Sequence, residues 1–179
     1  VLFGGSFGGG GGAVAADNAI TALRLGAVVV DAAPALRLVI ETQSPATVKM
    51  TLLSDPYRLV VDMMNAEWQI KGLPTRGALN KSPASGYRFG HPEPGVGRLV
   101  IEFDAPAAPF RAFALPPNTG GHRLVIDMVD GGQTAFRVAA AALRDSQPIQ
   151  FGGGALAREP VASEETEALA FSVTPPVPK

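Results

Sequence analysis

An all-β fold is expected: two symmetric four-stranded sheets packed as a sandwich from an internal duplication, with disordered N- and C-terminal flanks. Three observations carry it. Short segments recur in order: Arg37-Leu38-Val39-Ile40-Glu41 returns as Arg98-Leu99-Val100-Ile101-Glu102, 61 positions on. Arg58-Leu59-Val60-Val61-Asp62-Met63 returns as Arg123-Leu124-Val125-Ile126-Asp127-Met128, 65 positions on. A unit of about 60 residues repeated once predicts two like halves packed together. Apolar and polar residues alternate with the period of a strand that has one buried face. Finally, 21 Gly and 16 Pro in 179 residues gather at the ends and in turns, where they punctuate strands.

The first half covers about 20–66. Leu23-Arg24-Leu25-Gly26 alternates, residues 31–34 turn, and Leu36 to Glu41 forms the next strand. Val48 to Leu53 alternates again; Asp55-Pro56 turns the chain into Tyr57 to Met63. The second half, about 85–130, repeats the plan. Tyr87-Arg88-Phe89-Gly90 matches Leu23 to Gly26, and the turn at Pro92 to Gly95 leads into Arg98 to Phe103. Phe110 to Leu115 answers Val48 to Leu53, and Pro116 to Gly121 turns into Arg123 to Met128. Eight strands result. Gly72, Pro74, Gly77 and Pro83 mark 64–84 as a connecting loop.

The flanks differ in composition. Residues 1–16 are uncharged, apolar and Gly-rich, and end in Ala13-Val14-Ala15-Ala16. They read as a signal-peptide remnant, its weakly hydrophobic core suited to twin-arginine export; the bland alternative is a Gly-rich leader. They are too short and too glycine-rich for a membrane span. Residues 17–130 make the domain. Residues 131–179 are Gly-, Glu- and Pro-rich, a linker toward a missing C-terminal domain, with a brief helix at most over Ala139 to Leu143.

Fifteen basic against sixteen acidic residues give a net charge of −1, with no basic excess for nucleic acid. Cysteine is absent, which removes disulfides, thiolate zinc sites and thiol nucleophiles. Gly8 to Gly12 has no Gly-Lys-Ser/Thr after it, as a phosphate loop needs. Ser44, Ser54 and Ser85 lack a nucleophile-elbow context. His91 and His122 sit in Pro- and Gly-rich turns; a zinc site shared by them with Glu93 lacks ligand spacing. Trp68 and Tyr87 flank the connecting loop and pack at the core edge, with sugar stacking as the alternative.

The charged residues of the repeats form the candidate site. Alternate residues of a strand share a face, so Arg37, Val39 and Glu41 project together, as do Arg58, Val60 and Asp62. Pairing within each half would set Arg37 against Asp62 and Glu41 against Arg58, and likewise Arg98 against Asp127 and Glu102 against Arg123. Such cross-strand pairs contribute about 0.2–1 kcal/mol each. One reading is a solvated ladder that fixes register. The other presents Arg37, Arg58, Arg98 and Arg123 as candidate binding residues, a row offered to an anionic or hydroxyl-rich polymer, since the planar guanidinium suits carboxylates and sugar hydroxyls.

The Ile20 to Gly26 run, the doubled Arg-Leu-Val-Ile-acid strands, Asp55-Pro56-Tyr57-Arg58-Leu59-Val60-Val61-Asp62 and Gly121-His122-Arg123-Leu124-Val125-Ile126-Asp127 together resemble the AMIN domain. This is the N-terminal localisation module of many bacterial N-acetylmuramoyl-L-alanine amidases of the AmiC type. The resemblance covers about 110 residues and implies two symmetric four-stranded sheets. It also implies peptidoglycan as partner, divisome proteins as further partners, and a periplasmic place at the division septum. In such amidases zinc serves a separate catalytic domain, so no cofactor, metal or catalytic residue is expected in this fragment. The same module occurs in type IV pilus secretins, which supplies the alternative parent.

Overall fold

A computed structural model describes residues 18–151. The signal remnant read at 1–16, and the C-terminal flank beyond residue 151, fall outside the described residues. In chain order these residues form β1 (Asn18–Val30), β2 (Ala33–Thr42), β3 (Ala46–Leu53), β4 (Arg58–Met64), β5 (Ala66–Trp68), β6 (Arg76–Lys81), β7 (Ala84–Gly90), β8 (Val96–Phe103), β9 (Ala107–Asn118), β10 (Gly121–Asp130), α1 (Gly132–Asp145) and β11 (Ile149–Phe151).

The strands make two packed sheets, ordered β5-β1-β2-β10-β9 and β11-β3-β4-β8-β7-β6. Inside them lie the two symmetric four-stranded sheets expected from the duplication, β1-β2-β10-β9 and β3-β4-β8-β7. Each half contributes one antiparallel hairpin to each sheet. The seams β2–β10 and β4–β8 are therefore contacts between halves, not within one. Neither half can complete a sheet by itself, so the sandwich requires both.

This topology corrects the expected charge pairing. Arg37 faces Asp127 and Glu41 faces Arg123 across β2–β10. Asp62 faces Arg98 and Arg58 faces Glu102 across β4–β8. Arg37 and Asp62 lie in different sheets. Because the halves carry the same motif, a strand from either half satisfies the charges; the hairpin connections decide which one arrives.

Period-2 alternation sends Leu36, Leu38 and Ile40 inward from β2, Leu59, Val61 and Met63 from β4, Leu99 and Ile101 from β8, and Leu124, Ile126 and Met128 from β10. All are buried in one cluster. Each such side chain contributes about 1.5–3 kcal/mol by leaving water. The loop expected over 64–84 instead supplies β5 and β6, which bury Ala66 and Leu79. Trp68 closes that side of the sandwich: its ring packs 4.5 Å from Phe89 and its Nε1–H donates to the Gly90 carbonyl at 3.2 Å. Tyr87 is buried and its hydroxyl donates to the Pro74 carbonyl at 3.0 Å. Both aromatics pack at the core.

The opposite side is closed by α1, which contacts β3 and β9. Phe136, Ala139, Ala140 and Leu143, spaced as one helical face, pack on the core. Phe136 meets Tyr57 edge-on at 4.9 Å. Lys49 Nζ donates to the carbonyls of Arg144 and Ser146 at the helix C-terminus, where a cation complements the helix dipole. β11 then pairs with β3 and buries Phe151. Packed structure thus runs through 132–151, a stretch whose composition reads as linker.

Candidate functional site

The residues of β2, β10, β4 and β8 that point away from the core cover the two outer faces of the sandwich. On the first, Arg37 grips Asp127 as a fork: Nε donates to Oδ1 at 2.7 Å and Nη2 to Oδ2 at 2.9 Å. Arg111 of β9 adds Nε to Oδ2 at 2.6 Å. Asp127 has no exposed side-chain surface. Burial pushes its carboxyl pKa up, but the bonds and charges of Arg37 and Arg111 outweigh burial and hold it below the ordinary aspartate value. Arg37 shifts up in turn, chiefly through its bond to Asp127. Both guanidiniums lie over the Phe113 ring, 5.8 and 5.5 Å from its centre, in cation–π range. Arg24 of β1 binds Glu41.

The second face repeats this arrangement. Arg98 Nε and Nη2 donate to Asp62 Oδ1 and Oδ2 at 2.6 and 2.8 Å, and that bond raises the Arg98 pKa. Arg88 Nη1 donates to Glu102 Oε1 at 2.8 Å, as Arg24 binds Glu41. One difference between the faces lies at β3 and β9. Lys49 stands opposite Asp62 as Arg111 stands opposite Asp127, but Lys49 turns away to the end of α1.

Arg37 and Arg123 therefore share the first face, and Arg58 and Arg98 the second; the four do not converge on one point. Arg37 and Arg98 are held in forks. Arg58 Nε donates to the Pro56 carbonyl at 3.1 Å and Arg123 Nη2 to the Pro116 carbonyl at 3.1 Å. Neither makes a salt bridge among the described residues, and Arg123 Nε is buried without a partner there. Arg24, Arg88 and Arg111 complete the faces. Sequence reasoning did not single them out, although Arg24 and Arg88 occupy equivalent places two residues before Gly26 and Gly90.

Chemically, carboxylates fix the orientation of Arg24, Arg37 and Arg111 on the first face and of Arg88 and Arg98 on the second. A held guanidinium keeps N–H donors for a second acceptor and has already lost its side-chain freedom, which lowers the entropic cost of binding. Carboxylates and sugar hydroxyls are the acceptors that suit it. His91 Nε2 accepts the Trp68 backbone N–H at 3.3 Å. Among the described residues no group of three or more His, Cys, Asp and Glu is placed to hold a metal, and no helix is long and apolar enough to cross a membrane.

The family model described as the AMIN domain matches residues 29–128. That span runs from the end of β1 through nearly all of β10, and includes both seams. No curated protein matches the chain.

Proposed function

The chain belongs to the AMIN-domain family, and from that premise we propose that it holds a cell-wall hydrolase on peptidoglycan through its arginine-lined outer faces. AMIN domains are peptidoglycan-binding domains found in amidases and secretins, and they occur in periplasmic proteins. In this reading the parent is an N-acetylmuramoyl-L-alanine amidase that works at the division septum during daughter-cell separation. Its zinc-dependent chemistry belongs to another domain, and this chain is the targeting part. Arg37, Arg58, Arg98 and Arg123 are the proposed wall contacts, and divisome proteins the proposed further partners.

The observation that supports this best is the pair of guanidinium lattices, one on each outer face. Each contact to a glycan hydroxyl or peptide carboxylate is weak. Two faces let one molecule touch neighbouring strands of a meshwork, and linked weak sites raise overall affinity without any new contact. Tethering then raises the effective concentration of the enzyme at its substrate.

Co-sedimentation of the chain with purified sacculi across a salt series tests the proposal. Binding that weakens as salt rises is expected, since exposed guanidinium contacts are screened. Absence of binding at low salt would refute it.

A further inference from the structure

The second outer face carries a groove that the first face cannot copy. Arg88, Gly90, His91, Pro92, Arg98 and Val100 line about 220 Å³. In the first half the chain continues from Gly26 as strand into Ala27 and Val28. In the second half β7 ends at Gly90, and His91 and Pro92 turn out of the sheet to form a wall.

Three features set the chemistry of an occupant. Arg88 uses only Nη1 on Glu102, so its Nε–Nη2 edge, the one that forks a carboxylate, has no partner among the described residues. Arg98 uses Nε and Nη2 on Asp62 and keeps Nη1. Arg76 of β6 stands directly opposite Arg88; like charges across a strand pair repel, and an anion between them relieves this. Asp62, Glu102 and the nearby Glu93 offset part of the charge. Against Arg58, Arg76, Arg88 and Arg98 they leave the face positive. The floor is open: a Cβ built at Gly90 meets nothing within 4 Å. The volume falls below the roughly 300–1,000 Å³ of pockets for drug-sized ligands, and suits one sugar or one amino-acid residue.

We propose that this groove binds a single carboxylate carried on a sugar-sized unit of the cell wall, with the Nε–Nη2 edge of Arg88 as its fork. This rests on the wall-binding reading above. Two wall carboxylates have this chemistry: the lactyl group of N-acetylmuramic acid once its peptide is gone, and the free carboxylate of a stem peptide still attached.

The test titrates the full chain, observed by amide NMR, with N-acetylmuramic acid, with muramyl dipeptide, and with N-acetylglucosamine, which has the ring without the acid. Saturable shifts at Gly90 and its neighbours are expected with at least one acid. Binding of N-acetylglucosamine should be at least about tenfold weaker, the scale of one charge-assisted bond. Preference for the first acid assigns the lactyl group, and preference for the second assigns the stem peptide. Arg88→Gln should weaken the preferred acid by a similar factor. Gly90→Val, whose Cβ meets nothing within 4 Å, should fill the floor and abolish its binding. Equal binding of the neutral sugar, undisturbed Gly90 shifts with both acids, or full binding by Gly90→Val would overturn the proposal. Sacculus binding by the wild type, measured in parallel, separates the two ideas. Its loss would refute wall binding itself, whereas its persistence with an empty groove would refute only the groove.

Discussion

Asp127→Asn should be among the most damaging single-atom exchanges in this fold. The carboxylate is fully buried and accepts three charge-assisted bonds, from Arg37 at 2.7 and 2.9 Å and from Arg111 at 2.6 Å. The asparagine amide keeps the shape but turns one acceptor into a donor that faces a guanidinium. Breaking a buried pair costs about 3–5 kcal/mol. Arg37 and Arg111 are 23% and 26% exposed, so water recovers part of their loss, and about 3 kcal/mol is expected. Asp62→Asn is the internal control. Asp62 is 15% exposed, and its one fork comes from Arg98, itself 43% exposed, so about 1–1.5 kcal/mol is expected there. Urea unfolding with an unchanged m-value reads both. Acid adds a second signature. The folded-state pKa of Asp127 lies below its unfolded value, so its contribution is fully present above the unfolded pKa of about 3.9. It disappears as pH falls through the lower folded value. Asp127→Asn should therefore flatten the acid limb of the stability curve. A cost no larger than that of Asp62→Asn would refute the reasoning.

Other expectations follow from single contacts. Gly121 sits at φ +104°, and a Cβ there would lie 2.4 Å from the Thr42 carbonyl oxygen; Gly121→Ala should cost about 2–3 kcal/mol, seen as a lowered Tm. Phe136→Ala removes the buried anchor of α1, a change worth about 3–5 kcal/mol at most. Hydrogen exchange should show protection lost over 132–145 first, with β10 amides keeping theirs. A chain ended at residue 135 loses both Phe136 and Phe151, and should melt below one ended at 151.

Much of this fold was legible because the duplication is written in strand-length motifs. Leu36 to Glu41 and Arg98 to Phe103 declare which side chains go inward, and the structure places them so. Partner choice was not legible. Arg37 is satisfied by Asp62 or by Asp127 equally well on paper, since the halves carry the same charges, and only the three-dimensional course of the hairpins separates them. β5, β6 and β11 escaped notice because strands of three to six residues beside Gly and Pro carry too few alternations to register. α1 was visible only as Ala139 to Leu143. Its register becomes clear once Phe136 is joined to Ala139, Ala140 and Leu143 as one face. In the candidate site, Arg37, Arg58, Arg98 and Arg123 stood out because they repeat as motifs. Arg24, Arg88 and Arg111 lie outside those motifs, and their roles depend on which strand lies next to theirs.

In the proposed function, guanidiniums on the outer faces bind the wall. Arg58 and Arg123 allow it to be tested apart from folding, because neither makes a salt bridge among the described residues. The measurement is a sacculus-binding isotherm for the Arg58→Ala/Arg123→Ala double variant beside the wild type, with urea stability measured on both. Binding at least about tenfold weaker is expected, with stability changed by no more than about 1 kcal/mol. Unchanged binding at unchanged stability would contradict this and leave these arginines without a part in wall binding.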